Sequence, residues 1–498
     1  MKTFLKALFL AAMVVSVAFG DVRPSSPEPM SGKTALQFWA DNGIKLGWNL
    51  GNTLDAYKNG VGTEGVWSWG GPTPPEASQA LFNGVKSSGF DIVRIPVTWV
   101  GHIGAAPDYK VSEARLQRVA EVIDYAKTAG IKAMIINVHH DGLYDNGGTI
   151  GFLNFPEAEK NATKKTEIQN ELGKVWTQIA NYFKNYGDYL IFETMNEVHN
   201  GNWGVVSDNQ AYKNQQDILF DWNKAALDAI RATGGNNATR FVAVPGLGST
   251  EPSYVINAHN RQKLLPSDGT NGTGKLIVSV HYYHPWRYTV ADPNSTTEPL
   301  LHTWDTSERG HPASAMSSLK TTFVDNGIAV YVGEWGAPTN IRATMSADIK
   351  ATHREYIRTV AKNIVNNCIV PLYFDDGGNL KMLERSDGKA KTGLWSEVLS
   401  DIMASITPPP SSCTAPSNPS SSSLSPSSSS AGSSSSSDIS SSSSEEDVSP
   451  ILNQSSIINS KLITYYSLKG EPLGNAKPTK AGIYILKVGS SVQKIAVR

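Results

Sequence analysis

Residues 31–406 repeat one local pattern eight times: a short apolar run, then a stretch with helical spacing of apolar side chains. The runs are Lys45–Asn49, Ile92–Pro96, Lys132–Val138, Leu190–Thr194, Arg240–Val244, Leu276–His281, Ala329–Gly333 and Ile369–Phe374. Runs this short suit strands buried on both faces, and their alternation with helices demands a parallel sheet. Eight repeats point to a closed (β/α)8 TIM barrel, an α/β fold, rather than an open doubly wound sheet. Leu116, Val119, Ile123 and Ala126 form one helical stripe, opened by the N-cap candidate Ser112 and closed at Gly130. Further helical stretches cover Lys164–Phe183, Gln215–Arg231, Ala313–Asp325, Ala351–Val365 and about 394–404. No Gly-x-Gly-x-x-Gly follows the first run, which removes the usual dinucleotide-binding reading.

The rest of the 498-residue chain reads differently. Residues 1–20 have the marks of a secretory signal peptide: Lys2 and Lys6, an apolar Ala7–Phe19, and a small-x-small end at Ala18-Phe19-Gly20. That apolar stretch is too short to cross a bilayer, and no other is long enough, so the mature chain is expected to have no membrane span. Residues 407–450 read as a linker: from Ser411 to Pro450, 23 of 40 residues are serine, too little apolar surface to offset chain entropy. Residues 451–498 alternate as a small β module, with strands expected at 483–488 and 492–497 around a turn at Gly489-Ser490-Ser491. A net charge of −1 gives no reason to expect nucleic acid or an anionic membrane as partner. The only cysteines, Cys368 and Cys413, rule out a thiolate-rich metal site. Cys368 starts the eighth run and Cys413 follows the last helix at the same end of the barrel, so an exported chain can pair them.

Barrels of this kind carry their chemistry at the C-terminal ends of the strands. The second run ends at Arg94, the third at Asn137-Val138-His139-His140-Asp141, the fourth at Asn196-Glu197, the sixth at His281-Tyr282-Tyr283, the seventh at Glu334-Trp335 and the eighth at Phe374-Asp375-Asp376. Glu197 and Glu334 therefore face one mouth, and a pair of carboxyls flanking a bond is the machinery of glycoside hydrolysis. Arg94 and Tyr283 beside Glu334 are expected to favour its ionised form, whereas Glu197 has to stay protonated near neutral pH. His139-His140-Asp141 is a poor metal cluster, because consecutive strand residues point to opposite faces; His140 is expected to be structural and to face the helices. No metal or cofactor is expected. Trp39, Trp176 and Trp222 lie in helical stretches and are expected to pack. Trp67, Trp69, Trp203, Trp286 and Trp335 lie in loops or beside the acids, where two or more are expected to stack on sugar rings.

These residues carry a resemblance. Gly47-Trp48-Asn49-Leu50-Gly51-Asn52-Thr53-Leu54-Asp55, Val93-Arg94-Ile95-Pro96, His139-His140-Asp141, Asn196-Glu197, His281-Tyr282-Tyr283 and Gly333-Glu334-Trp335-Gly336 stand in the order of a glycoside hydrolase family 5 catalytic domain of the cellulase type. The first motif resembles the endoglucanase branch that includes xyloglucan and mixed-linkage glucan hydrolases. The resemblance implies a retaining endo-β-1,4-glucanase acting on a β-glucan as a monomeric catalytic domain. Glu197 would be the acid/base and Glu334 the nucleophile, with Asn49, Arg94, His139, Asn196, Trp203, His281, Tyr283, Trp335 and Phe374 binding substrate. Phe374 departs from the family, which places Trp there. Xyloglucan, mixed-linkage glucan or mannan remain alternative substrates; transglycosylation and non-catalytic glycan binding remain alternative functions. The tail resembles the C-terminal sorting domains of type IX secretion, which would make the export machinery of a Gram-negative cell a partner and the protein secreted or cell-surface. A small β module of another purpose is the competing reading.

Overall fold

The computed structural model describes residues 21–65, 75–145, 147–203, 206–269 and 274–406, and the backbone of four C-terminal strands. The expected signal peptide and expected linker, with Cys413, Trp67 and Trp69, lie outside the described residues. The chain divides into two compact units.

The first is a closed barrel of eight parallel strands: β1 (Gly47–Leu50), β2 (Ile92–Ile95), β3 (Ala133–Asn137), β4 (Leu190–Glu193), β5 (Val242–Pro245), β6 (Leu276–Tyr282), β7 (Ala329–Trp335) and β8 (Val370–Asp375). Each pairs with its neighbours in the chain, and β8 closes on β1 through pairs such as Asn49↔Phe374. Every strand falls on its sequence run, with ends within two residues. The helix Glu113–Thr128 starts at Ser112, whose hydroxyl accepts the Arg115 N–H, and ends before Gly130 at φ 85°. The helices Ala162–Tyr182, Gln210–Ala232, His311–Thr322, Ala347–Asn366 and Leu394–Ser405 match the remaining stretches.

Strand alternation sorts the core into two compartments. Val93, Ile95, Met134, Ile136, Phe192, Val278, Val330, Val332 and Tyr373 face outward and pack against the helices. Ile92, Ile135, Ile191, Ile277, Tyr331 and Leu372 face inward and fill the lower barrel. A helix outside the eight repeats, the one that carries Trp39, closes that lower end. The helix Ala35–Asn42, opened by a Thr34–Gln37 capping box, inserts Phe38 against Phe241 with ring centroids 5.3 Å apart. With the bottom plugged by apolar side chains, the polar inward residues are left in one layer near the mouth.

Trp39, Trp176 and Trp222 are buried packing residues, as their helical positions predict. Cys368 is disulfide-bonded; its expected partner Cys413 is outside the described residues. Among the described residues, no helix is long and apolar enough to cross a membrane. In the second unit, Ile463–Tyr466, Pro472–Gly474, Gly482–Val488 and Ser491–Val497 form an antiparallel sheet. Gly482–Val488 and Ser491–Val497 pair in a hairpin, as the alternation predicts, with Val488 opposite Ser491.

Candidate active site

The inward side chains nearest the mouth are polar: Asn49, Arg94, Asn137, Glu193, Ser279, His281 and Glu334. Glu334 reaches this layer through an irregularity. Tyr331 and Glu334 are three residues apart, so in a regular strand they would face opposite sides. The register between β6 and β7 jumps from Val280↔Val332 to His281↔Glu334, and that between β7 and β8 skips within the same segment. Gly333 is thus the extra residue of a β-bulge, and the bulge turns Glu334 inward alongside Tyr331. A side chain at Gly333 would come within 2.9 Å of the Tyr331 ring, so the bulge needs glycine.

At the centre lies a fully buried guanidinium. Arg94 donates from Nη1 to Glu334 Oε1 at 2.7 Å and to Asn49 Oδ1 at 3.2 Å, from Nε to Glu193 Oε2 at 2.8 Å, and from Nη2 to Asn196 Oδ1 at 2.6 Å. Three strands and the Asn196 loop thereby meet on one planar cation, which matches carboxylate geometry in a way an ammonium cannot. Asn49 in turn donates to the carbonyl of Gly333 at 2.7 Å, tying β1 to the bulge.

The two acids lie on either side of His281. Its Nδ1 is 2.6 Å from Glu197 Oε1, and its Nε2 is 3.7 Å from Glu334 Oε1. A carboxylate oxygen of Glu197 and one of Glu334 lie within 4.8 Å of each other. The Tyr283 hydroxyl donates to Glu334 Oε2 at 3.2 Å. Burial pushes the Glu197 carboxyl up to about 8, with the Glu193 and Glu251 charges adding to it and Arg94 opposing. Glu334 departs from expectation. Burial raises it too, outweighing the lowering by His281 and Arg94, so these two neighbours limit the rise and do not reverse it. Burial drives His281 down to about 4, which leaves the ring neutral at ordinary pH.

The structure brings Glu197, Glu334, Arg94, His281, Tyr283, Asn196 and Asn49 into direct contact and separates others. Trp335 is fully buried, edge-on to Tyr373 at 5.4 Å, so it has no face for a sugar. The reason is alternation: with Glu334 turned inward, the next side chain must point out to the helices. Asn49 and Arg94 also expose nothing, so they hold the site and do not line its surface. Phe374 is inward-facing and half-buried. Trp203 and Trp286 keep about half their surface exposed, at 46% and 48%. Trp203 lies over the buried His199 ring at 4.0 Å, which fixes its plane.

His140 does not face the helices. The strand ends at Asn137 and His140–Gly142 is a tight helical turn, so alternation no longer applies. Both imidazoles approach Asp55, with Nε2 to Oδ2 distances of 3.7 Å for His139 and 3.9 Å for His140. His139 is a poor metal ligand there. The Asn137 Oδ1 accepts the Val97 N–H, so its amide nitrogen faces His139 Nδ1 at 3.2 Å as a donor. The neutral ring then carries its proton on Nε2, the atom turned to Asp55.

Sequence reasoning missed Glu193, Ser279 and Tyr331 and gave Asn137, at the end of the third run, no role; Glu193 holds Arg94 from below and the other three hold Glu193. Each is a polar group at an inward position of an otherwise apolar strand, and that interruption was the available signal.

The family model described as cellulase (glycosyl hydrolase family 5) matches residues 54–377. Endoglucanase B of Clostridium cellulovorans is 35% identical over 335 residues, covering 67% of this chain and 67% of that protein. Endoglucanase A of Paenibacillus barcinonensis is 32% identical over 406 residues, 76% of this chain and 92% of its relative. Among solved structures, a broad specificity endoglucanase from Bacteroides salanitronis superposes with a TM-score of 0.63 at 34% identity, covering 74% of this chain and 94% of that one. The matched span contains all eight barrel strands but the first, together with both acids at the mouth: the chain belongs to glycosyl hydrolase family 5.

Proposed function

We propose that the protein is an exported endo-β-1,4-glucanase that cleaves internal bonds of cellulose and related β-glucans with retention of configuration, with Glu197 as acid/base and Glu334 as nucleophile. The observation that carries this reading is the approach of the two carboxylates to within 4.8 Å. Retaining glycosidases hold their carboxyls about 5–5.5 Å apart for direct attack, whereas inverting enzymes leave about 6.5–9.5 Å for a water. In the first step a Glu334 oxygen bonds to the anomeric carbon, the glycosidic bond breaks, and the Glu197 proton passes to the leaving oxygen. In the second step Glu197 takes a proton from water, the water oxygen bonds to the anomeric carbon, and the bond to Glu334 breaks.

The proton inventory supports the division of labour. Glu197, at about 8, holds its proton at neutral pH, while Arg94 and Tyr283 are both bonded to Glu334 and stabilise its anion. Asn196 gives its carbonyl oxygen to Arg94, which leaves its amide N–H groups for a sugar 2-hydroxyl. His139 and His281 border the subsite of the attacked sugar, Phe374 forms its floor, and Trp203 and Trp286 stack along the cleft. Xyloglucan, mixed-linkage glucan and mannan are the alternative substrates on the same machinery. The signal-like N-terminal segment and sorting-type tail expected from the sequence support export to the outside of a Gram-negative cell, which N-terminal sequencing of protein from the medium would check. Glu197→Gln and Glu334→Gln should each abolish hydrolysis of carboxymethylcellulose, and NMR should show the β-anomer released first. Release of the α-anomer, or unimpaired variants, would overturn the reading.

A further inference from the structure

Glu193 ends β4, three residues before Asn196, and neither the reaction scheme nor its two acids call on it. It nevertheless accepts four hydrogen bonds, all of them from side chains. Its Oε1 accepts from Ser279 Oγ at 2.6 Å and from Tyr331 Oη at 2.8 Å; its Oε2 accepts from Asn137 Nδ2 at 2.7 Å and Arg94 Nε at 2.8 Å. It has no exposed surface. A structural anion buried this deeply is costly unless a cation balances it, and among the described residues the only cation it touches is Arg94, which Glu334 also holds. One guanidinium therefore serves two carboxylates, with Glu334 on Nη1 and Glu193 on Nε.

We propose that Glu193 is a positioning residue that sets the charge balance of the reaction: by holding one edge of Arg94 it limits how much of that cation reaches the nucleophile Glu334, and its fixed negative charge keeps the proton on Glu197. This rests on the roles given above to Glu197 and Glu334. The groups facing Glu193 are Arg94 from β2, Asn137 from β3, Ser279 and His281 from β6, and Tyr331 from β7. Those facing Glu197 are Arg94, His281, Tyr283, Glu251 after β5, and Glu334. Burial raises the Glu193 carboxyl, but Arg94 and the hydrogen bond from Ser279 outweigh it and hold the group below the usual carboxylate range, so it stays ionised across the working pH. Its charge is among the causes that raise Glu197.

The test is the pH profile of kcat/KM on cellotetraose. Its acid limb reports ionised Glu334 and its alkaline limb protonated Glu197. In Glu193→Gln the shape is kept and the charge removed. Arg94 then acts on Glu334 alone, so both carboxyls lose their proton more readily and both limbs should move to lower pH by about one unit. kcat should fall several-fold, and by no more than about tenfold for a shift of one unit, because the more stable anion is the poorer nucleophile. In Glu193→Asp the charge stays but retreats from Arg94, so only the acid limb should move. Should the Gln variant fail to fold, the Asp variant carries the test alone. Limbs that remain at wild-type positions, with nothing but a lower unfolding temperature, would make Glu193 a packing group and overturn the proposal. A wild-type enzyme that leaves cellotetraose intact, or a Glu334→Gln variant that still cleaves it, would count against the assignment of the two acids and not against Glu193.

Discussion

Replacing the acid Glu197 by Gln should destroy activity and, at neutral pH, stabilise the protein. In the unfolded chain a glutamate ionises near 4.5, whereas in the folded enzyme burial holds Glu197 to about 8. A carboxyl raised in the folded state favours folding only while protonated. As pH climbs from 4.5 to 8 the unfolded chain gains an ionisation that the folded one resists, and stability drains away. Each pH unit in that window costs about 1.4 kcal/mol, so the folded enzyme gives up about 3 kcal/mol at pH 7 and about 5 kcal/mol once the pH passes 8. Gln carries no such burden, and its loss of the 2.6 Å bond to His281 subtracts about 1 kcal/mol at every pH. Denaturant unfolding of wild type and Glu197→Gln at pH 4.5, 7 and 8.5 should therefore show the variant equal or slightly weaker at the acid end and stronger by a few kcal/mol at the alkaline end. A difference between the two proteins that does not change with pH would refute the reasoning, because Glu197 would then not be held protonated by its surroundings. The alkaline limb of wild-type kcat/KM should fall near pH 8 for the same reason.

Trp203→Ala and Trp286→Ala should each reduce kcat/KM on cellohexaose about tenfold or more with the unfolding temperature near wild type; an unchanged kcat/KM would remove the stacking role. Phe374→Trp should lower KM for cellotetraose about two- to tenfold, since the larger indole face adds about 0.5–1.5 kcal/mol of ring contact, and steady-state kinetics would show it. Trp335→Ala should cost about 3–5 kcal/mol of stability by leaving a cavity against Tyr373, seen in denaturant unfolding, whereas a change in KM at unchanged stability would return Trp335 to the cleft.

The barrel was legible because its signal is periodic and repeated. Eight apolar runs, each bounded by a helical stripe, leave little else for residues 31–406 to become, and single caps such as Ser112 behaved locally as their chemistry requires. Glu197 and Glu334 were legible for a related reason: the ends of parallel strands in a barrel converge, so residues there meet however far apart they stand in the chain. What the strand ends could not convey was direction. Whether Glu334 or Trp335 points inward depends on the bulge at Gly333, a register event set by the neighbouring strands. The two histidines escaped alternation because the strand stops two residues before the first of them.

Pattern and strand-end chemistry, read from the sequence alone, determined the closed barrel, the mouth that bears the two acids and the reaction class they serve. Only the tertiary structure decided that Arg94 is divided between Glu193 and Glu334, that Asn49 and Trp335 support the cleft without lining it, and that burial raises both acids. Periodicity is a property of neighbours along the chain, so sequence carries it. The sharing of one buried cation and the loss of water around a carboxyl depend on side chains from strands β1, β2, β4, β6 and β7 meeting in space, which no local stretch encodes.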